Sequence, residues 1–255
     1  MEASNKRRRE AEELCFADEE SEISSSSLPV VIFAHGAGAP SSSDWMIRWK
    51  DKLKKSLSAV EVITFDYPYI AGGKRRVPPK AEKLVQFHLD LVKETAAKFP
   101  GHPLILAGKS MGSRYISFSL ILCLQTLFKI LNVILSFCRV SCMVAVDEDI
   151  PVSAVICLGY PLKGMKGAIR DETLLKMEIP VMFVQGSKDP MCPLDKLQAV
   201  CNKMKAVTEV HVIDGGDHSF KIGKKHLEAK GLTQDLVEDV ALQAIAAFVS
   251  KSLAF

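Results

Sequence analysis

The chain carries seven cysteines, yet no two of them stand as a Cys-x-x-Cys pair. Zinc-ribbon and thioredoxin-type chemistry therefore lack their spacing. The seven are scattered at Cys15, Cys123, Cys138, Cys142, Cys157, Cys192 and Cys201. An odd, scattered set reads as buried thiols in a reducing compartment, not as a disulfide framework. An excess of one charge is also missing. Lys+Arg 33 against Asp+Glu 30 leaves +3, too mild for a nucleic-acid binder. No repeat of fixed period is visible. What is present is globular: 255 residues, 48% hydrophobic and 25% charged. That composition excludes a disordered or collagen-like chain, and the length fits one large domain or two small ones.

Residues 1–27 contain no apolar run, so a secretory signal is not expected there. The segment mixes a basic tetrad, Lys6 to Arg9, with acidic and serine runs. It buries too little apolar surface to offset its ordering entropy, and a flexible tail is expected. The tetrad reads either as a nuclear localisation signal or, by default, as a solvated charge run. A cytoplasmic chain is expected, with a nuclear location as the alternative.

From Leu28 onward the pattern changes, and residues 28–255 read as one domain. Val30 to Ala34 is a short apolar run ending at His35-Gly36, as in a parallel strand covered on both faces. Further strands are expected at Val60–Phe65, Leu104–Ala107, Val152–Leu158, Pro180–Gln185 and Val207–Ile213. The last alternates polar and apolar residues, which suits a sheet edge. Helices are expected over Asp44–Leu57, residues 81–99 and Thr233–Ser252. The second has an apolar stripe of Leu84, Val85, His88, Leu91, Val92 and Phe99, with His88 read as a core or boundary residue. Strands alternating with helices predict an α/β fold: a mostly parallel sheet with helices on both faces.

Gly108-Lys109-Ser110-Met111-Gly112 sits between an expected strand and an expected helix. That is the context of a nucleophile elbow, where a tight turn needs glycine on either side of the serine. It lifts Ser110 to a helix N-terminus whose dipole favours developing negative charge. His35-Gly36-Ala37-Gly38 follows the first strand. Backbone N–H groups at Gly36 and Ala37, with that of Met111, are candidate oxyanion donors. Asp189 follows the fifth strand, and His218 follows the sixth within Gly215-Gly216-Asp217-His218. Ligands of open α/β sheets bind at such carboxyl edges. The order Ser110, Asp189, His218 is that of α/β-hydrolase triads. Asp214 and Asp217 compete weakly for the acid role, since both follow the histidine's own strand. Asp214, Asp217, His218 and His226 could supply metal ligands by composition but lack a recognised spacing. No metal or cofactor is expected.

FAHGAGA at 33–39, DYPY at 66–69, GKSMGSR at 108–114, CLGYPL at 157–162, FVQGSKD at 183–189 and DGGDHSF at 214–220 together resemble α/β-hydrolases of the dienelactone-hydrolase type. More closely, they resemble the small family that contains testis-expressed protein 30 and the hydrolase-like domain of the third regulatory subunit of the NSL histone-acetyltransferase complex. The resemblance spans most of residues 30–255. It implies an α/β-hydrolase fold with Ser110, Asp189 and His218 as the triad, and it implies no particular substrate. Two functions follow. One is a serine hydrolase acting on an ester, thioester or related acyl bond of a small molecule. The alternative is a catalytically silent, hydrolase-shaped interaction module of a protein complex.

Two features stand apart. Loops 66–80 and 159–171 should overhang Ser110, and they carry Lys74, Arg75, Arg76, Lys163, Lys166 and Arg170. With Lys109, Lys221, Lys224 and Lys225 these form either a cationic rim favouring an anionic substrate or ordinary solvated lysines. Tyr115 to Arg139 is apolar on every face, interrupted by Gln125, Lys129 and Asn132. It reads as a membrane helix, a buried helix or an in-frame insertion. Lys129 near the centre opposes the first by about 2.5–3.5 kcal/mol, and no membrane association is expected. The favoured reading is insertion. Its removal joins Arg114 to a small-residue helix at Val140, and its residue types match U-rich codons, as in translated intron.

Overall fold

The computed structural model describes residues 28–73, 79, 81–109, 137–146, 152–164 and 168–254. Six strands form one sheet: β1 (Val30–Ala34), β2 (Glu61–Phe65), β3 (Leu104–Lys109), β4 (Val152–Leu158), β5 (Val181–Gly186) and β6 (Thr208–Ile213). Every neighbouring pair is parallel, in the order β2-β1-β3-β4-β5-β6. The helices are α1 (Asp44–Ser56), α2 (Glu82–Lys98), α3 (Phe137–Ala145), α4 (Leu194–Cys201), α5 (Lys224–Lys230) and α6 (Gln234–Leu253).

Strand alternation divides the core in two. Val30, Ile32, Leu104, Leu106, Val155 and Phe183 face α2, α3 and α4, meeting Leu84, Val92, Val140, Cys142 and Leu197. Val31, Phe33, Ile105, Ala107, Ile156 and Met182 face α1 and α6, meeting Trp49, Leu53, Ile245 and Phe248. Side chains of successive residues leave a strand on opposite faces, so a fully covered parallel strand must be apolar throughout. Fully burying one such side chain is worth about 1.5–3 kcal/mol. Met46, Trp49 and Leu53 recur at helical spacing in α1 and form its buried stripe.

The expected strands are all present, with ends shifted by no more than two residues. β6 is an edge strand, as its alternation required. In α2 the buried set is Leu84, His88, Leu89, Val92 and Thr95. Of the expected stripe, Val85, Leu91 and Phe99 are only partly buried, while Leu89 and Thr95 are buried instead. α4 and α5 had no counterpart in the sequence reading. Residues 1–27 lie outside the described residues, as does most of 115–139. The exception is the start of α3, whose first three residues fall inside the suspected insertion. No helix among the described residues is long and apolar enough to cross a membrane.

The topology fixes where a site can form. From β1 the chain moves outward to β2, then crosses back to β3 on the other side of β1. Ala34 and Gly108 are register partners. The carboxyl ends of β1 and β3 therefore lie side by side, at a topological switch point.

Candidate functional site

His35 leads the turn after β1 and is fully buried. The Tyr67 backbone N–H donates to its Nε2 at 3.2 Å. The proton therefore sits on Nδ1, which donates to the Gly36 carbonyl at 2.7 Å. Burial lowers the His35 pKa, outweighing the help of Gly36 and Asp66. A neutral imidazole thus braces the turn that carries Gly36 and Ala37, both buried. The Tyr69 hydroxyl reaches the Ala37 carbonyl at 3.4 Å.

Across the sheet, two loops bring Asp189 and His218 together. Asp189 leaves β5 and His218 leaves β6, and these strands pair through to Gly186 and Ile213. The loops are tied by main-chain bonds from Ser187 N to Ile213 O and from Lys188 N to Gly216 O, both 2.9 Å. A side chain on Gly186 would collide with the Gly216 and Asp217 carbonyls, so only glycine permits this approach. His218 Nδ1 lies 2.5 Å from Asp189 Oδ2. A carboxylate accepts, so Nδ1 carries the proton and Nε2 a lone pair. Nε2 is buried and has no hydrogen-bond partner among the described residues. Burial lowers the His218 pKa. Lys109 adds to that, while Asp189 and Asp217 oppose it.

Asp189 is itself firmly held. Its Oδ1 accepts from Met191 N at 2.8 Å. Its Oδ2 also accepts from Gln185 Nε2, and the Gln185 Oε1 accepts from Tyr160 N at 3.1 Å. Gln185 is fully buried. A polar residue closing the otherwise apolar run Val-Met-Phe-Val-Gln of β5 was the available signal, and the sequence reading passed over it.

The rival acids are engaged elsewhere. Asp214 binds His226 at 3.1 Å and Lys230 at 2.5 Å on the surface. Those two partners hold its carboxyl down at a pKa of about 2. Asp217 caps its own turn, accepting from Ser219 N and Lys221 N at 2.7 and 2.9 Å. Asp214, Asp217, His218 and His226 therefore do not converge on one point.

Of the basic residues assigned to a rim, Lys163, Lys221, Lys224 and Lys225 are exposed. Arg170 is half-buried, and Lys74, Arg75, Arg76 and Lys166 lie outside the described residues. Lys109 is a correction. It is buried, because alternation along β3 turns it to the same face as Ile105 and Ala107. Ser110 and Met111 lie outside the described residues. A separate cavity, lined by Leu28, Leu57 and Leu253 among others, opens beside the start of β1, at the far end of that strand from His35.

Known proteins share this architecture. A family model described as an alpha/beta hydrolase domain matches residues 27–129 and 137–250. An alpha-beta serine hydrolase homologue from Coxiella burnetii superposes with a TM-score of 0.56 at 16% identity, covering 86% of this chain and 85% of its own. Est1E from Butyrivibrio proteoclasticus gives 0.54 at 16% identity, covering 90% of each chain. Dienelactone hydrolase from Anabaena variabilis gives 0.55 at 13% identity, over 83% of this chain and 86% of that one. At such identities the structural likeness speaks for the fold alone. The family model spans most of the sequence and agrees with the six-stranded parallel sheet, and the chain belongs to the alpha/beta hydrolase domain family.

Proposed function

We propose that the protein is a serine hydrolase that cleaves an ester, thioester or related acyl bond of a small molecule. The observation that carries this reading is the buried Asp189–His218 pair, with Nδ1 engaged and Nε2 without a partner among the described residues. That is the protonation pattern of a general base waiting for a hydroxyl proton. The hydroxyl is assigned to Ser110 from its sequence motif and from its place immediately after β3.

In this reading Ser110 Oγ attacks the acyl carbon while Nε2 takes its proton. Asp189 orients the ring and stabilises the imidazolium. The backbone N–H groups of Gly36, Ala37 and Met111 hold the oxyanion. His218 then returns the proton to the leaving group, and water repeats the sequence to free the acid. The motifs at 33–39, 108–114 and 214–220 also support a place beside testis-expressed protein 30 and the NSL-subunit domain within the family.

A fluorophosphonate probe tests the proposal. Covalent labelling of the folded protein that disappears in Ser110→Ala supports it. A folded wild-type chain that takes no label leaves the hydrolase-shaped interaction module as the better reading.

A further inference from the structure

A lysine lies beneath the histidine loop. Lys109 is only 1% exposed. Its Nζ lies 4.1 Å from the centroid of the Phe220 ring and 5.0 Å from that of Trp45. From that aromatic cage it donates to the His218 carbonyl oxygen at 2.6 Å. An ammonium taken out of water is costly unless it is well paired, and an apolar side chain would fill this strand position at less cost.

We propose that Lys109 is a positioning residue for the triad: its caged ammonium pins the His218 main chain, which keeps the imidazole on Asp189 and leaves Nε2 to take the proton. This rests on the serine-hydrolase reading above.

Two further features converge on the same contact. Gly159 has φ +72°, and a Cβ there would sit 3.0 Å from the His218 carbonyl and 3.2 Å from Lys109 Nζ. The β4 exit is thus kept bare where lysine and carbonyl meet. Phe220 adopts φ 67°, a left-handed conformation unfavourable for a bulky residue. It is held there by its buried ring and by Gln234, which donates to its carbonyl at 2.8 Å. Such strain persists only where the surroundings over-determine it, and here it closes the cage over Lys109. Among the described residues, the charged groups acting on His218 are Lys109, Asp189 and Asp217. Lys109 is the cation among them, so it also favours the neutral, basic form of the ring.

The test compares wild type with Lys109→Met by the rate of fluorophosphonate labelling across pH, with cooperative unfolding as the check on folding. Labelling of Lys109→Met should slow by about 10- to 100-fold, the scale of a misplaced catalytic group, and its acid midpoint should rise. Lys109→Arg keeps the cation and donor and should keep the wild-type midpoint. Equal rates and midpoints in wild type and Lys109→Met overturn the proposal and leave the hydrolase reading intact. Absence of Ser110-dependent labelling in wild type overturns the hydrolase reading instead. In that event NMR titration of the His218 ring still decides the role of Lys109: a raised pKa in Lys109→Met supports it, and an unchanged one overturns it. If Lys109→Met does not fold, the wild-type Lys109 ammonium is observed directly. A persistent 1H–15N signal coupled to the His218 carbonyl carbon supports the proposal, and its absence overturns it.

Discussion

Asp189 Oδ2 accepts two hydrogen bonds at once, from His218 Nδ1 and from Gln185 Nε2. Gln185 spends its other end on Tyr160 N, so one buried amide spans β5, the loop after β4 and the acid. Replacing it with leucine keeps the bulk and removes both bonds. Tyr160 N–H then loses its Gln185 acceptor, and Asp189 loses a donor. Gln185→Leu should destabilise the fold by about 1–3 kcal/mol, the usual cost of a buried polar group that loses its partner. Urea unfolding measures this directly, and a midpoint equal to wild type would remove Gln185 from the account.

The acid limb of activity follows from His218. In the proposed mechanism only the neutral ring can take the Ser110 proton. Burial, reinforced by Lys109, lowers the His218 pKa from its ordinary 6.5. Labelling by a fluorophosphonate should therefore be flat above neutrality and fall off only below pH 6.5. A midpoint above that value would mean that the Asp189 and Asp217 charges outweigh burial.

His88 should govern part of the pH dependence of stability. It is fully buried, with Nδ1 3.0 Å from the Tyr67 hydroxyl and Nε2 without a partner among the described residues. Burial lowers its pKa to about 3 from 6.5. Between those values the unfolded chain binds a proton that the folded chain refuses, so stability falls as pH falls. From about pH 7 to about pH 5 this one residue should remove about 2 kcal/mol. Buried His35 and His218 act in the same direction. The share of His88 is the difference in slope between wild type and His88→Phe in denaturant titrations at the two pH values. Parallel slopes would place its protonation elsewhere.

Glu238 on α6 is buried to 1% yet faces the basic side of α1. Arg48 binds its Oε1 at 2.7 Å, Gln234 donates to the same oxygen at 3.2 Å, and Lys52 lies 3.4 Å from Oε2. A fully orphaned buried carboxylate costs about 3–5 kcal/mol. Here two partners survive the loss of Arg48, so Arg48→Ala should cost less, about 1–3 kcal/mol. Glu238→Leu removes the buried charge itself and should be the milder change. Thermal unfolding of both variants ranks them, and the reverse order would show that the ion pair is a net stabiliser.

The strands were readable because parallel strands covered on both faces must be apolar throughout, as Val30–Ala34 and Val152–Leu158 are. The turn after β1, Asp189 and His218 were readable because they follow such runs in a fixed order. Helix α4 was missed because Leu194–Cys201 is short, with only Leu197, Val200 and Cys201 buried. Helix α5 has no buried residue at all, so it leaves no stripe to detect. The supports of the site were missed for another reason. Lys109 looks like a surface residue until β3 is extended to include it, and then its parity with Ile105 and Ala107 turns it inward. Gln185 is silent alone and gains meaning only when Asp189 and Tyr160 are brought to it by the fold.

The segment Tyr115–Arg139 gives the remaining prediction. Its deletion joins Arg114 to Val140. In the structure Val140, Ser141, Cys142 and Val144 are buried, and they belong to a helix packed on β3, β4 and α2. Cys142 Sγ comes within 3.6 Å of Cys157 Sγ on β4, which shows how closely that helix approaches the sheet. The residues that the deletion would bring up behind Ser110 are thus already suited to the covered face. The boundary cost is small. Arg139 bridges Glu82 at 3.5 Å, with Glu82 exposed, and such pairs are worth about 0–1 kcal/mol. A further 25 mostly apolar residues after Arg114 add hydrophobic surface to the chain. Deleting Tyr115–Arg139 should therefore raise soluble yield and maintain or increase Ser110 labelling by a fluorophosphonate. A deletion variant that is less soluble and unlabelled, beside a full chain that labels well, would make the segment part of the native core.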